Sequence, residues 1–322
     1  MFSELIKEEC QDLTKGFPEA WDRFWFAPSS GHLNSLFRIG IALFALSYQL
    51  LIAFRLNAWF GETGLISPDV MAIYYSDSIA TQIGEKIFLF NYTGIESGLW
   101  VGWGFGVVVT LCLVLGIFSR VSAILTLWVI LSYSFQGMLL RGHHEPVLCF
   151  LLLYLCIAPG GRYFSIDRGW KGKKSSLLQD VFSDSLWHTF SLRLMQVHLA
   201  AFYGMMAAGK LMGFSWWEGE ALNWISSQPE WGLVDLTFLS IGREGNSTAV
   251  SNFFTHTIVA YEFAMALLIW YRPIRLFLIL GSIPYWISIW LLTGLTTFSF
   301  LMLLAGFAFL LEAIEAQRKR EA

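Results

Sequence analysis

The sequence has few charged residues. Asp, Glu, Lys and Arg make up 14% of its 322 positions, whereas soluble domains carry about 25%. Hydrophobic residues account for 56% and aromatic residues for 17%. This composition argues against a soluble globular protein and predicts an integral membrane protein. The net charge of -3 is small, so it gives no indication of a nucleic-acid partner.

Cysteines are also scarce. Of the four, Cys112, Cys149 and Cys156 lie in apolar runs and Cys10 lies in the polar N-terminal region, with no C-x-x-C pair. This pattern supports neither a disulfide framework nor a zinc site, and the spacing of the histidines does not indicate a metal site. We therefore predict no metal cofactor and interpret the three cysteines in the runs as small buried hydrophobes.

The first 30 residues lack the apolar core and the cleavage site of a signal peptide. Aromatic residues such as Trp21 and Phe24 alternate there with charged ones, which is typical of a helix at the membrane surface. A solvated arm is the alternative. We assign residues 1–31 to an interfacial segment, 32–314 to a transmembrane domain and 315–322 to a cytoplasmic tail. The first membrane helix would then act as its own insertion signal.

Long apolar runs predict an all-α polytopic bundle of about eight transmembrane helices, because a bilayer core requires about 20 apolar residues in helical conformation. The last two segments come from one uncharged run between Arg275 and Glu312, which is too long for a single span and which we divide at Gly294. The predicted segments are about 33–54, 97–118, 121–140, 146–159, 187–209, 254–271, 276–293 and 295–311.

The basic residues give the predicted bundle an orientation. Fourteen Lys and Arg lie in the even-numbered connections and at both termini, against five on the opposite side. Because cytoplasmic loops are enriched in basic residues, we predict a multi-pass protein of the cell membrane with both termini in the cytoplasm. Lys210, His144 and Glu218 then face the outer side, as do two long connections rich in aromatic residues, 55–96 and 210–253.

Ionisable residues within apolar segments are functional candidates, because hydrocarbon does not solvate them. Lys210 ends the fifth segment and is followed by Trp216, Trp217 and Glu218. On these residues alone the simpler interpretation is an interfacial anchor, in which a lysine and two tryptophans lie at the membrane surface. Glu218 has two interpretations: it tunes the charge of Lys210, or it starts a short helix.

Two arginines, Arg38 and Arg193, lie inside predicted membrane segments. Pairing within the bundle is the favoured interpretation for both, since a buried arginine needs hydrogen-bond acceptors. Glu262, in the sixth segment, is a candidate partner for either arginine. Catalysis by either arginine is the less favoured alternative.

Five short signatures occur in order along the chain. They are Leu33-Asn-Ser-Leu-Phe-Arg38-Ile-Gly, Leu115-Gly-Ile-Phe-Ser-Arg120-Val-Ser-Ala-Ile-Leu, His143-His144-Glu-Pro, Tyr163-Phe-Ser165-Ile-Asp167 and Tyr203…Lys210-Leu…Trp216-Trp217-Glu218-Gly219. With these signatures, the chain from about residue 20 to about residue 312 resembles the horizontally transferred transmembrane (HTTM) domain of the vitamin K-dependent gamma-carboxylases.

The resemblance implies a reaction. Lys210 would be the base that deprotonates a reduced naphthoquinone of the vitamin K type, and His144 would assist at the second substrate. Oxygen would convert the quinol into its epoxide, and carbon dioxide would add to a peptide glutamate, which is carbon–carbon lyase chemistry. Burial disfavours an ammonium ion, so a lysine in apolar surroundings is compatible with a role as a base. The resemblance and the residue types give these supporting candidates: His143, Arg38, Arg193, Tyr203, Trp216, Trp217, Glu218, Glu262 and Trp286.

The chain departs from the family in two ways, so we leave open whether it is an enzyme. The carboxylases add a lumenal β-rich domain that helps to recruit the peptide, and this sequence ends soon after the last predicted helix. Trp286 stands where the family has a second histidine, and it cannot exchange a proton at neutral pH. The alternative is a non-enzymatic membrane partner that matures or exports a secreted peptide. The expected partners are membrane lipid and a secreted or membrane-bound peptide.

Overall fold

The computed structural model describes residues 17–26, 31–67, 96–137, 142–158, 164–167, 184–226 and 247–321. These residues form helices joined by turns, and no strand occurs among them. The all-α class is therefore confirmed for the described part of the chain. The first 16 residues, residues 68–95 of the connection 55–96 and residues 227–246 of the connection 210–253 lie outside it.

Twelve α-helices are described. They are α1 (Phe17–Phe26), α2 (Gly31–Ala53), α3 (Leu56–Phe60), α4 (Glu96–Leu115), α5 (Ser119–Gln136), α6 (His144–Ile157), α7 (Asp184–Leu211), α8 (Phe214–Trp217), α9 (Ala221–Ser226), α10 (Ser247–Leu267), α11 (Arg272–Thr293) and α12 (Thr296–Glu321). A short 3-10 helix, Leu268–Trp270, follows α10.

The chain divides into two compact units. One is residues 28–192, and the other combines residues 1–27 with 193–322. The boundary in sequence falls within α7. We refer to the first as unit 28–192 and to the second, which includes residues 1–27, as unit 193–322.

Unit 28–192 is built on helix pairs that are adjacent in sequence. Helix α4 packs against α2 and α5, and α6 packs against α5. Polar side chains join α2 to α4: Gln49 donates through Nε2 to Thr110 Oγ1 at 2.7 Å, and Trp103 Nε1 donates to the Gln49 carbonyl at 2.9 Å. Such bonds hold apolar helices together where hydrophobic burial contributes little. The adjoining core contains Ile52, Leu56, Phe60, Leu99, Val129 and Tyr133.

In unit 193–322, α11 packs against α12, and α10 packs against α9 and α11. Helix α11 ends at Gly294, whose φ of 68° lies in the left-handed region where glycine costs least. Helix α12 then begins at Thr296. The break that we predicted at Gly294 is confirmed. The backbone of the predicted tail, up to Glu321, continues α12.

Four helical stretches are long and apolar enough to cross a bilayer: Asn34–Ala53, Gly98–Leu115, Ala249–Trp270 and Arg272–Thr293. They are compatible with a membrane protein. Each of the eight predicted segments coincides with a described helix, but three of these helices have shorter apolar stretches, and α7 carries Arg193, Gln196 and His198. The number of eight spans therefore stays a prediction.

Candidate functional site

Lys210 and Glu262 form an ion pair in unit 193–322. Lys210 lies in the last turn of α7, and its Nζ is 2.6 Å from Oε1 of Glu262 on α10. The Glu262 side chain is 0% exposed and that of Lys210 is 17% exposed. The pair therefore places a cation and a carboxylate in direct contact, with the carboxylate shielded from solvent.

Glu262 has a second donor on the same oxygen. The hydroxyl of Tyr285, on α11, donates to Glu262 Oε1. The other carboxylate oxygen, Oε2, is buried and has no hydrogen-bond partner. Tyr285 follows Pro284, a proline inside α11. Oε1 of Glu262 therefore accepts two hydrogen bonds, and Oε2 accepts none.

Aromatic residues surround this pair. Trp286 is fully buried and donates through Nε1 to the Tyr203 hydroxyl at 2.7 Å. The rings of Tyr285 and Trp286 meet edge to face, with centroids 4.9 Å apart. Lys210 Nζ lies 5.3 Å from the centre of the Trp216 ring, which is a cation–π distance. We call Lys210, Glu262, Tyr285, Tyr203 and Trp286 the Lys210 centre.

Gly219 determines the conformation of the turn that follows Lys210. Gly219 has a φ of +75°, and a Cβ there would lie 1.6 Å from Asn252 Oδ1. Ser251 also donates to the Gly219 carbonyl, at 3.1 Å. Trp217 and Glu218 are both exposed on this turn. The carboxylate that pairs with Lys210 is thus Glu262, and Glu218 contributes its backbone N–H to the end of α8.

The expected pairing of Glu262 with an arginine is wrong, since its partners are Lys210 and Tyr285. The error has a physical cause. The sequence placed one carboxylate and several cations in apolar segments, and it carried no information on which helix lies beside α10. The sequence signal for the correct pair was Lys210 itself, because a cation that ends an apolar helix needs an acceptor.

Arg38 is fully buried in unit 28–192 and binds neutral groups. It donates to Ser119 Oγ at 3.2 Å and to the Phe164 carbonyl at 2.6 Å. Gly116 has a φ of +72°, and a Cβ there would lie 2.0 Å from Arg38 Nη1. Three of the predicted signatures therefore meet at one arginine. This arrangement fixes the turn between α4 and α5.

Arg193 also has a connecting role. Its Nε donates to the Phe24 carbonyl at 2.9 Å, and its guanidinium lies 4.5 Å from the centre of the Phe24 ring. It also donates to Gln196 Oε1 at 2.9 Å, and Gln196 in turn donates to the Ala308 carbonyl. Arg193 thus attaches the aromatic helix α1 to α7.

His144 belongs to a different cluster, in unit 28–192. Its Nδ1 is 3.5 Å from Glu145 Oε2, and the Tyr48 hydroxyl donates to Glu145 Oε1 at 3.2 Å. The rings of Tyr48 and His144 lie 5.3 Å apart at 71°. Glu145 is buried in the first turn of α6, where the helix dipole favours a negative charge. His143, just before α6, is exposed.

Tyr48 and Glu145 contact His144 and each other, and neither was among the predicted site residues. Their signal was available: Glu145 follows His144 directly, and Tyr48 is a hydroxyl-bearing residue inside an apolar run. Lys210 and His144 fall in different units. That they act at one site stays a prediction.

The chain matches no family model, no curated protein and no solved structure. The resemblance to the HTTM domain therefore rests on the ordered signatures in the sequence.

Proposed function

We propose that this chain is an HTTM-type protein of the cell membrane, with eight transmembrane helices and both termini in the cytoplasm. Two observations support the proposal. A described helix coincides with each of the eight apolar segments, and the basic residues concentrate on one predicted side.

We further propose that it is a carboxylase-like enzyme. It would use oxygen to convert a reduced naphthoquinone into the epoxide and water, and carbon dioxide would replace a proton on a peptide glutamate. The buried ion pair between Lys210 and Glu262 carries this proposal, because it places groups that hold and move protons among apolar and aromatic side chains. The centre would take the first proton from a hydroxyl of the quinol.

His144 would act at the second substrate. Its Nδ1 lies 3.5 Å from one oxygen of the Glu145 carboxylate, and the Tyr48 hydroxyl donates to the other oxygen. A peptide glutamate would need such a group to orient its side chain. This role, like that of Lys210, comes from the family resemblance.

The test is quinone epoxidation by the purified protein with Lys210→Ala beside it. We expect the wild type to form epoxide and Lys210→Ala to lose about 10²-fold or more of the rate, the usual contribution of a proton-transfer group. Lys173→Ala, in a predicted cytoplasmic connection, is the control and should keep the wild-type rate. Equal rates in wild type and Lys210→Ala, or no epoxide from the wild type, would end the proposal.

A second function is a non-enzymatic partner in the maturation or export of a secreted peptide. The pairing of Lys210 with Glu262 favours it, because neutralising a buried cation is also what a structural ion pair does. In this case Lys210→Arg would retain function in cells, whereas changes in the outer connections would abolish it. If cells that carry Lys210→Arg lose the function although the variant folds normally, this second function is excluded.

A further inference from the structure

Two phenylalanines of unit 28–192 have a left-handed backbone. Phe118 has a φ of 46° and Phe164 has a φ of 49°, and within the described part of the chain all other residues with a positive φ are glycines. A residue with a Cβ is strained in this region, whereas glycine adopts it readily. The side chains are 68% and 65% exposed, so burial of the rings within the protein does little to offset the strain.

One polar assembly fixes both backbones. Arg38 donates through Nη2 to the Phe164 carbonyl at 2.6 Å and through Nη1 to Ser119 Oγ at 3.2 Å. The backbone N–H of Phe118 donates to Asp167 Oδ2 at 2.7 Å. These bonds join the turn before α5 to the segment that carries Phe164, so both rings are presented at the same end of the unit. Strained backbone that is fixed by its surroundings is concentrated at binding sites.

This end of the unit directly follows apolar helix. The apolar stretch Gly98–Leu115 ends just before the turn that contains Phe118, and the apolar helix α6 ends at Ile157. The carbonyl of Ile157 accepts a hydrogen bond from Nη2 of Arg120 at 3.2 Å. The side chains of this turn therefore lie where an apolar span gives way to the membrane surface.

Arg120 gives this surface a positive charge. It is exposed and lies two positions after Phe118 in the sequence. Its acceptor, the Ile157 carbonyl, is neutral, so this hydrogen bond does not neutralise the guanidinium. An exposed cation beside two exposed rings matches a ligand that joins a phosphate to an apolar chain. An anionic phospholipid has both parts.

We propose that Phe118, Phe164 and Arg120 form a binding site for an anionic phospholipid of the cytoplasmic leaflet. The guanidinium of Arg120 donates hydrogen bonds to the lipid phosphate. The two rings pack against the glycerol and the first carbons of the acyl chains, and the apolar area that they bury there offsets the backbone strain. The inference rests on the proposed function only for the side of the membrane on which the site lies.

Glycine at the two strained positions separates lipid binding from a role in the fold. Glycine takes the left-handed backbone without strain, and the rings that it removes are exposed. We therefore expect Phe118→Gly and Phe164→Gly to have thermal midpoints in lipid-free detergent at or above that of the wild type. Lower midpoints in both variants would show that the rings stabilise the fold, and the proposal would be wrong.

Lipid binding by the full-length protein would be measured with native mass spectrometry in detergent, with phosphatidylglycerol and phosphatidylcholine as probes. We expect the wild type to bind phosphatidylglycerol more tightly. Arg120→Gln should weaken this binding about fivefold, the effect of one basic residue at an anionic surface, and leave phosphatidylcholine binding unchanged. Each glycine variant should weaken the binding of both lipids about tenfold, because an apolar contact is lost.

Phe54 and Arg55 offer matched controls. Both are exposed, they follow α2, and neither has a left-handed backbone. Phe54→Gly and Arg55→Gln should keep the wild-type affinity for phosphatidylglycerol. Glycerol 3-phosphate, which carries the phosphate without acyl chains, should not compete with the lipid.

Four results would overturn the proposal. They are equal affinities of the wild type for the two lipids, unchanged binding in Arg120→Gln, unchanged binding in both glycine variants, and competition by glycerol 3-phosphate. The proposed function can fail separately. Selective lipid binding without epoxidation of a quinol would refute the enzyme and leave this inference standing, and epoxidation by a protein that does not distinguish the two lipids would do the reverse.

Discussion

The indole N–H of Trp286 donates to the hydroxyl of Tyr203 at 2.7 Å, so a residue of α11 is joined to a residue of α7 inside unit 193–322. Both side chains are buried, at 0% and 2% exposure. Trp286 stands at the position where the HTTM resemblance expects a histidine. Its bond to Tyr203 gives it a structural role that needs no proton exchange.

Trp286→Phe should destabilise the protein. The change removes the donor to Tyr203 and leaves a buried hydroxyl with one partner fewer, at a cost of about 1–3 kcal/mol. The free energy of unfolding, measured in mixed micelles, would show this cost. Tyr203→Phe should cost a similar amount, and the double variant less than the two costs combined, because both changes remove the same bond. Strict additivity would show that the bond contributes nothing.

Gly116→Ala should destabilise the protein by about 2 kcal/mol or more, because the residue has a left-handed backbone and its Cβ would meet Arg38. Gly104→Ala is a matched control within α4, where nothing lies within 4 Å of the new Cβ. It should stabilise the helix by about 0.5–1 kcal/mol. Equal effects of the two changes on the unfolding midpoint would contradict the observed packing of Gly116.

Lys210→Met should lower the stability by about 3–5 kcal/mol, since it leaves the Glu262 carboxylate buried without its cation. Adding Glu262→Gln should restore much of the loss, because the uncompensated charge is then removed. The free energies of unfolding of the two single variants and the double variant would show the coupling. A double variant less stable than Lys210→Met would mean that the ion pair is not the origin of the effect.

The predicted orientation can be tested with single cysteines in a background that lacks the four native ones. A cysteine at position 220, after Lys210, should react with a membrane-impermeant thiol reagent added outside intact cells. One at position 318, near the C-terminus, should react only after the membrane is opened. The opposite pattern would invert the topology, and labelling of both from outside would refute the three spans predicted between these two positions.

The sequence predicted the helices well, because apolar runs and their breaks are local features. The break at Gly294 is an example: glycine readily takes the left-handed conformation that ends α11. The partners of buried charges were predicted poorly. Lys210 and Glu262 are 52 positions apart, and nothing in the apolar pattern says that α7 and α10 present these residues to each other.

Arg38 is a second buried charge whose partners could not be predicted from the sequence. Its acceptors are a serine hydroxyl and a backbone carbonyl. A carbonyl is present at every position, so its use cannot be deduced from residue types. The conformation of Gly116 that makes room for the guanidinium becomes visible only in three dimensions.

Pro284 is the point at which α11 bends most readily. A proline inside a helix cannot donate a backbone hydrogen bond, and helices bend most readily at such a point. The next residue, Tyr285, carries the hydroxyl that contacts Glu262. A change in the curvature of α11 at Pro284 would therefore move the Tyr285 hydroxyl relative to Glu262, so that the shape of one helix determines which donors reach the buried carboxylate.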